Sequence, residues 1–356
     1  MTRRLMEGSE ALAEAAIAAG CRFFAGYPMT PFTELLEAFA AKLPAAGGAC
    51  VNAESEIEAV GMAWGAAATG ARAASGSTGQ GLALMQESFS ELVRAELPLV
   101  VFNMARGQFD YRQATRGGGH GDYHFLVLAP LDVREAVELV QRAFELAEKW
   151  RNPVLLYGDY LLAHTAEAVA IEALPLAAYD KGWAADGTGR ARGGPRHVSP
   201  IGMQPGAKGI DAEAFWQRLA AKHAQMAAEE ARAEAEHAAD AELLVVAFGS
   251  LARFARHAVR ELRREGARVG FFRPITLWPF PGEALALAAA GSRRVAVLEQ
   301  NAGQMIDDVR LALLGRSEVV PIGGISTDAH GFGIGGLFDP AEVRARIEGA
   351  LARRVA

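Results

Sequence analysis

The sequence contains very little cysteine. Cys21 and Cys50 are its only two cysteines, and no CxxC pair occurs. Because a cuboidal iron–sulfur cluster usually takes four thiolates, this chain cannot hold such a cluster alone. A disulfide between the two residues is not expected in a reducing compartment, so we interpret them as small buried thiols.

Long apolar runs and a large excess of one charge are also missing. The net charge is −6 over 356 residues, with acidic and basic side chains interspersed. This balance excludes the basic surfaces that bind nucleic acids or anionic membranes. No window is apolar for long enough to span a bilayer, and Glu7, Glu10 and Glu14 interrupt any secretory signal. We therefore expect a cytoplasmic protein.

Helical and strand-like patterns alternate over residues 5–165. Strands are predicted at 23–26, 49–52, 71–75, 97–103 and 153–157, and helices at 9–19, 56–69, 82–97 and 133–149. Strands that are apolar on both faces and separated by helices indicate a parallel sheet covered on both sides. Asp132, directly before the last of these helices, has a side chain suited to an N-cap.

A second, smaller α/β unit follows a connector. Periodicity is lost over 166–210, and the Ala- and Glu-rich residues 211–239 predict one long solvated helix. Asp339-Pro340 then predicts the start of a helix through Arg353. The Gly-rich run 331–336 is a poor dinucleotide-binding motif, and we interpret it as a flexible loop. Further strands are predicted at 243–249, 268–272 and 293–298, and the predicted domains are 1–165, connector 166–240 and 241–356.

Three segments place polar residues where a strand gives way to a loop, the position at which open α/β sheets bind ligands. Residues 26–31 present Thr30 between two prolines, although a rigid turn has the same pattern and is favoured on local evidence. Glu54 and Glu56 open a helix, where a carboxylate either complements the helix dipole or does proton chemistry. Residues 75–81, SGSTGQG, offer backbone N–H groups that can cradle a ring or a phosphate.

Two further observations concern a partner and a substrate. Small residues at 61, 63, 65 and 66 would let a neighbouring chain approach the helix closely. Arg106, after the predicted strand 97–103, has a side chain that can bind a carboxylate through two hydrogen bonds. His120 and Asp122 lie in a Gly-rich loop without another His or Cys at metal-ligand spacing, so no metal site is expected, and a lone loop His is more often merely exposed.

Taken in order, five segments closely resemble one enzyme family. They are GYPMTP (26–31), AESEIEAVGMAWGAA (53–67), QATRGGGHGDYHFLVLAP (113–130), FFRPITLWPFP (271–281) and EQNAGQMIDDVRLAL (299–313). Together they resemble the alpha, or pyrimidine-domain, subunit of 2-oxoacid:ferredoxin oxidoreductases, with greatest similarity to the branched-chain (2-oxoisovalerate) type. The resemblance implies a thiamine diphosphate pyrimidine-type domain followed by a smaller domain like the C-terminal domain of transketolase.

The resemblance also implies a division of labour between subunits. A beta subunit would bind the diphosphate through Mg²⁺ and carry a [4Fe–4S] cluster, and gamma- and delta-type subunits would accompany it. A 2-oxoacid, coenzyme A and ferredoxin would be the reactants. Neither the GDG-initiated diphosphate motif nor a set of cluster cysteines occurs in this chain, which agrees with that division.

Site residues carry over by position. Glu56 matches the glutamate that hydrogen-bonds the aminopyrimidine ring and so promotes loss of the thiazolium proton, with Glu54 as second choice. Thr30 and Arg106 match substrate-binding positions. Secondary candidates are His120 and Asp122, and the residues expected to contact the cofactor are Pro28, Ser77, Thr78 and Gly79.

One departure from the family pattern lies next to Arg106. Only GQFDYR (107–112) separates it from the QATRGGGHGDY segment, where relatives carry a longer Gly/Pro-rich loop. The shorter loop leaves the substrate specificity open. Two alternatives remain: the beta-type subunit of an NAD- and lipoyl-linked dehydrogenase, against which the segments PITLWPFP and NAGQM argue, and a non-catalytic assembly subunit, which the retention of Glu56 and Thr30 opposes.

Overall fold

The computed structural model describes residues 3–185, 212–324 and 339–352. The Gly-rich run 331–336, Arg353 and most of the aperiodic segment 180–206 lie outside the described residues. The strands are β1 Arg4–Glu7, β2 Phe23–Gly26, β3 Ala49–Asn52, β4 Ala73–Ser77, β5 Val100–Ala105, β6 Leu126–Leu128, β7 Val154–Asp159, β8 Ala166–Val169, β9 Ala233–Glu236, β10 Leu243–Val246, β11 Val269–Pro274, β12 Thr276–Trp278, β13 Arg294–Val297 and β14 Glu318–Pro321.

Helices connect most of these strands. They are α1 Gly8–Ala18, α2 Thr33–Lys42, α3 Glu56–Ala68, α4 Gly79–Arg94, α5 Tyr111–Arg116, α6 Val133–Trp150, α7 Tyr160–His164, α8 Ala212–Glu230, α9 Gly249–Arg264, α10 Gly282–Ala288, α11 Met305–Leu313 and α12 Pro340–Ala352, with short 3₁₀ turns at Pro44–Ala46 and Gln108–Asp110. In the described part of the chain, no helix has the length and apolarity needed to cross a bilayer.

The first sheet has seven strands in the order β12-β6-β7-β5-β4-β2-β3. All neighbours are parallel except β12, which runs antiparallel to β6. Every residue of β4 and β5 is buried, as a sheet covered by helices on both faces requires. Aromatic stacking of Phe24 on Phe39 (3.9 Å between ring centroids) packs α2 against one face. The predicted parallel sheet is therefore confirmed.

Register in this sheet brings several loops to one edge. Gly26 pairs with both Asn52 and Gly76, and Ser77 pairs with Asn103. The carboxyl ends of β2, β3, β4 and β5 consequently lie side by side, and the loops that follow them converge there. This edge is where the candidate site lies.

Helix caps follow the sequence closely. Asp132 accepts a hydrogen bond from the backbone N–H of Glu135 (2.9 Å), and Asp339 accepts one from Glu342 (2.7 Å), so both predicted N-caps are confirmed.

The two cysteines are free. Burial raises the pKa of Cys21 to about 12 and that of Cys50 to about 11, which keeps both thiols protonated at neutral pH.

The second sheet has five strands in the order β14-β13-β10-β11-β9. Only β9 is antiparallel to its neighbour, and its presence corrects one prediction, because residues 211–239 do not form a single helix. Helix α8 ends at Glu230, whose buried carboxylate accepts hydrogen bonds from Lys149 (2.6 Å) and Trp150 (2.9 Å). The backbone N–H of Arg232 then donates to the Thr276 hydroxyl (2.9 Å), which directs the chain into a strand.

The two sheets share an extensive boundary. Strand β12 belongs to the second half of the sequence but lies at the edge of the first sheet. Arg273, 1% exposed, makes two hydrogen bonds to Glu135 of α6 (2.7 and 2.8 Å). Ser250, at the start of α9, donates to the partly exposed Asp159 at the end of β7 (2.8 Å). These polar contacts join the two halves of the chain across a partly buried boundary.

Candidate functional site

Glu56 is a buried carboxylate at the beginning of α3. The helix starts there because Ser55 acts as N-cap and accepts a hydrogen bond from the N–H of Glu58 (3.3 Å). Glu56 is 3% exposed, and its Oε1 accepts a hydrogen bond from the Ser77 hydroxyl at the end of β4 (3.1 Å). A Cβ at Gly81 would collide with both groups. Gly81 therefore allows α4 to pack directly against this pair.

Thr78 and Gly79 form the entry to α4 beside this pair. Thr78 is the N-cap residue, yet its side chain makes no capping hydrogen bond. The side chain is fully buried, and its Oγ1 has no hydrogen-bond partner among the described residues. Buried hydroxyl groups are normally paired, and a helix N-terminus carries partial positive charge. The position is therefore suited to a polar group of a bound molecule.

Thr30 and Arg106 meet at the same edge of the sheet. The Arg106 Nε donates a hydrogen bond to the backbone carbonyl of Thr30 (3.0 Å). Thr30 is exposed and Arg106 is partly exposed, as a contact with a small anionic molecule requires. Pro28 is exposed on the same loop. The structure thus brings together the two residues that sequence comparison by position assigned to substrate.

The three secondary candidates lie elsewhere or point outward. Glu54, two residues before Glu56, is exposed. His120 and Asp122 are exposed on the loop after α5. Gly119 in that loop packs against Gln86 and Ser90 of α4, which lie about 10 Å or more along the helix from Gly79. Glu56, Ser77, Thr78 and Gly79 are here called the Glu56 cluster. The structure does not bring His120 and Asp122 to this cluster.

Asp110 and Asn103 are polar groups at this edge that the sequence reasoning missed. A Cβ at Gly79 would collide with the Asp110 carboxylate, which places that carboxylate at the N-terminus of α4. Burial raises the pKa of Asp110 to about 6, against lowering contributions from the Asn103 amide and the Arg106 guanidinium. Asn103 is fully buried, and its amide lies close enough to the Asp110 carboxyl to lower the pKa of that group. The sequence could have indicated both residues only by their place in the chain, since Asn103 lies near the carboxyl end of β5 and Asp110 lies in the loop that follows it.

Family models match most of the chain. The model described as pyruvate flavodoxin/ferredoxin oxidoreductase, thiamine diphosphate-binding, matches residues 14–241. The chain belongs to this family. The model described as pyruvate:ferredoxin oxidoreductase core domain II matches residues 241–330. The predicted family is therefore confirmed, and so is the prediction that the chain contains a thiamine diphosphate-binding domain.

Curated relatives are subunits of 2-oxoacid oxidoreductases. The ketoisovalerate oxidoreductase subunit VorB of Methanothermobacter thermautotrophicus is 38% identical over 327 residues, covering 88% of this chain and 90% of the relative. The 2-oxoglutarate synthase subunit KorA of the same organism is 34% identical over 357 residues, covering 91% of this chain and 95% of the relative. This chain is accordingly a 2-oxoacid:ferredoxin oxidoreductase subunit, as predicted.

Solved structures agree with the fold. The 2-oxoglutarate:ferredoxin oxidoreductase of Magnetococcus marinus, with 2-oxoglutarate, coenzyme A and succinyl-CoA bound, superposes with a TM-score of 0.82 at 26% identity. The match covers 98% of this chain and 65% of that chain. A split gene transketolase, an inactive beta4 tetramer, gives a TM-score of 0.59 at 16% identity, which shows a shared fold alone. The predicted transketolase-like architecture is confirmed.

Proposed function

We propose that this chain is the alpha subunit of a coenzyme A-dependent oxidoreductase that decarboxylates a branched-chain 2-oxoacid and passes the electrons to ferredoxin. The observation that carries the proposal is the buried Glu56 carboxylate at the carboxyl edge of the sheet, paired with Ser77 and adjacent to the N-terminus of α4. The branched-chain preference is supported by the 38% identity to a ketoisovalerate oxidoreductase subunit.

The residues at this edge fit the pyrimidine half of thiamine diphosphate. The ring needs a carboxyl partner and polar neighbours in a site that excludes water. Glu56 offers the first, and the unpaired hydroxyl of Thr78 offers the second. Ser77 and Gly79 would line the same side of the pyrimidine site, and Pro28 would contact the ring from the neighbouring loop. When bound, thiamine diphosphate supplies the electron sink for decarboxylation of a 2-oxoacid.

Glu56 would hold a proton at the pyrimidine ring. Because Ser77 donates to Oε1, we assign Oε2 to the ring nitrogen. A carboxyl group held in one orientation, with 3% of the residue exposed, keeps water from competing for that contact. Glu54 is exposed and would take no part.

Thr30 and Arg106 would bind the carboxylate of the 2-oxoacid. Arg106 is already oriented by the Thr30 carbonyl, so its two terminal nitrogens are available to a carboxylate. The Thr30 hydroxyl, on the exposed loop that follows β2, can add a further hydrogen bond to the substrate carboxylate. This arrangement would orient the substrate without touching the bond that breaks.

A beta subunit would complete the site from the outside. Helix α3 leaves Ile57 54% and Met62 43% exposed, and a Cβ at Gly61 or Gly65 would meet nothing within 4 Å. An apolar face lined with glycines, next to a half-built site, is suited to a partner chain. We propose that this partner binds the diphosphate and Mg²⁺, carries the [4Fe–4S] cluster, and is joined by gamma- and delta-type subunits.

Replacing Glu56 with Gln tests the assignment. We expect coenzyme A-dependent viologen reduction by the purified complex to fall by about 100-fold or more, since general acid–base groups contribute at least that much. The matched control is Glu54→Gln, which removes an exposed carboxylate two residues away and should leave the rate unchanged. Turnover like that of the wild type in the assembled Glu56→Gln complex would rule out the role.

A further inference from the structure

The short connection between β5 and α5 has several hydrogen-bond partners in the second half of the chain. This connection, residues 106–110, is here called the site loop; Arg106 begins it and Asp110 ends it. In the first half, the loop's partners include the Thr30 carbonyl, which accepts from Arg106, and Tyr157, whose hydroxyl donates to the Gly107 carbonyl (3.2 Å). Further polar contacts cross to the second sheet and its helices.

Gln108 is the centre of these crossing contacts. It is 2% exposed, and its Nε2 donates to the carbonyl of Phe248 (2.8 Å). Its Oε1 accepts from the backbone N–H of Gln300 (3.0 Å), and its own carbonyl accepts from Asn301 Nδ2 (2.8 Å). All three partners lie at the carboxyl ends of β10 and β13, the edge of the second sheet. One glutamine side chain thus joins the edges of both sheets.

The residues on either side of Asp110 are anchored in the same way. Gln304 donates to the carbonyl of Phe109 (2.9 Å) and accepts from the N–H of Arg112 (2.8 Å). The Tyr111 hydroxyl donates to Asp308 (2.7 Å). The EQNAGQMIDD segment therefore hydrogen-bonds the site loop at Gln108 and Phe109 and the start of α5 at Tyr111 and Arg112.

We propose that Gln108 is a positioning residue through which the second domain fixes Arg106 for substrate binding. Among the described residues, the hydrogen bonds of Gln108 go to Phe248, Gln300 and Asn301, so it acts by holding the backbone two residues after Arg106. Displacement of a group that binds the substrate weakens that binding and raises the KM, so a fixed loop matters to the affinity for the 2-oxoacid. The inference rests on the proposed role of Arg106 in substrate binding.

A double-mutant cycle tests this coupling in the assembled enzyme. Gln108→Met keeps the size of the side chain but removes both of its hydrogen bonds. We expect about a tenfold rise in KM for the 2-oxoacid, with kcat and the KM for coenzyme A changed less than about twofold, because ground-state binding of one substrate is affected. In an Arg106→Met background, the same Gln108→Met change should have no further effect on that KM.

The controls separate positioning from stability. Ser250→Ala removes another hydrogen bond between the two halves, to Asp159, and should leave the 2-oxoacid KM unchanged while altering thermal unfolding to a similar extent. Should Gln108→Met fail to assemble, Asn301→Ala removes the bond to the Gln108 carbonyl, together with the one that Asn301 accepts from the N–H of Gly303, and should also raise that KM.

Different failures have different meanings. Additive effects of Gln108→Met and Arg106→Met on KM, or an unchanged KM in Gln108→Met, would overturn the positioning role while leaving the proposed function intact. An unchanged KM in Arg106→Met alone would overturn the assignment of Arg106 and this inference with it. Inactivity of the wild-type complex toward every 2-oxoacid would instead count against the proposed function.

Discussion

Glu54 and Glu56 are two residues apart, and only the second is buried as the proposed role requires. Glu54 is exposed, whereas Glu56 is buried against Ser77 because α3 begins at Glu56 and turns its side chain inward. The sequence alone named both residues and preferred Glu56 on its resemblance to the family. The contact with Ser77 and the close approach of Gly81 give that preference a physical basis, since an exposed carboxylate is screened by water.

Asp110 makes a pH-dependent contribution to stability. Its native pKa of about 6 lies above the value of 3.8 for an unperturbed Asp. Between those values the native state binds more protons than the unfolded state, so the wild type loses stability as pH rises through 6. Asp110→Asn has no such group, and its unfolding free energy relative to wild type should rise by about 1 kcal/mol from about pH 5 to about pH 8.

Urea unfolding of the full chain at the two pH values measures this difference. Tyr157 of β7 is a neighbouring titratable group, and burial raises its pKa well above its ordinary value, so Tyr157 stays protonated in this window. A variant–wild-type difference that is equal at both pH values would contradict the burial of the Asp110 carboxyl.

At the scale of elements, helix α3 has one face for this chain and another for a neighbour. Ala59, Val60, Ala63 and Ala67 are buried, while Ile57, Gly61, Met62 and Gly65 are exposed. Among the described residues, a Cβ at Gly65 meets no heavy atom within 4 Å, and Gly65→Leu replaces a poor helix former, so the folding stability of this variant should be unchanged or higher. The same side chain would collide with a closely packed partner.

We therefore expect Gly65→Leu to abolish co-purification of the partner subunits while the chain itself unfolds at or above the wild-type temperature. Gly349→Leu is the matched control, because Gly349 is also an exposed helical glycine with nothing within 4 Å. Normal assembly of Gly65→Leu would show that this face of α3 is not the interface. Loss of assembly in both variants would show that the effect is not specific to α3.

Local patterns predicted the elements whose signals are local. The strands before residues 27, 53 and 78 and the N-caps Asp132 and Asp339 follow from apolar runs and capping residues. Contacts between distant segments could not be predicted in this way. Helix α8 stops at Glu230 because α6 binds its carboxylate, and β12 joins a sheet from the other half of the sequence. Whether 1–165, 166–240 and 241–356 fold as units stays a prediction.

The same limit applied to the site. Glu56, Ser77 and Thr78 could be named because each lies directly beside a recognisable strand or helix end. Asp110 and Gln108 could not, since their environment depends on α4 and on the second sheet, which are distant in sequence. The short site loop, noted in the sequence as a departure from the family, is the segment that the second sheet holds.

At the scale of the whole molecule, the proposed role of this chain is to supply the residues on one side of the cofactor site and to hold them in place. The first sheet carries the Glu56 cluster, and the second sheet fixes the loop that bears Arg106. In the described residues no group of three or more His, Cys, Asp or Glu side chains could hold a metal ion. The partner subunits proposed above would hold the diphosphate, its Mg²⁺ and the clusters.

The most direct test of this account is anaerobic purification of the tagged chain from its own host, followed by an assay of coenzyme A-dependent viologen reduction with a panel of 2-oxoacids. We predict co-purification of an iron–sulfur partner and activity that is highest with branched-chain 2-oxoacids. A colourless chain without partners and without activity toward any 2-oxoacid would contradict the central claim.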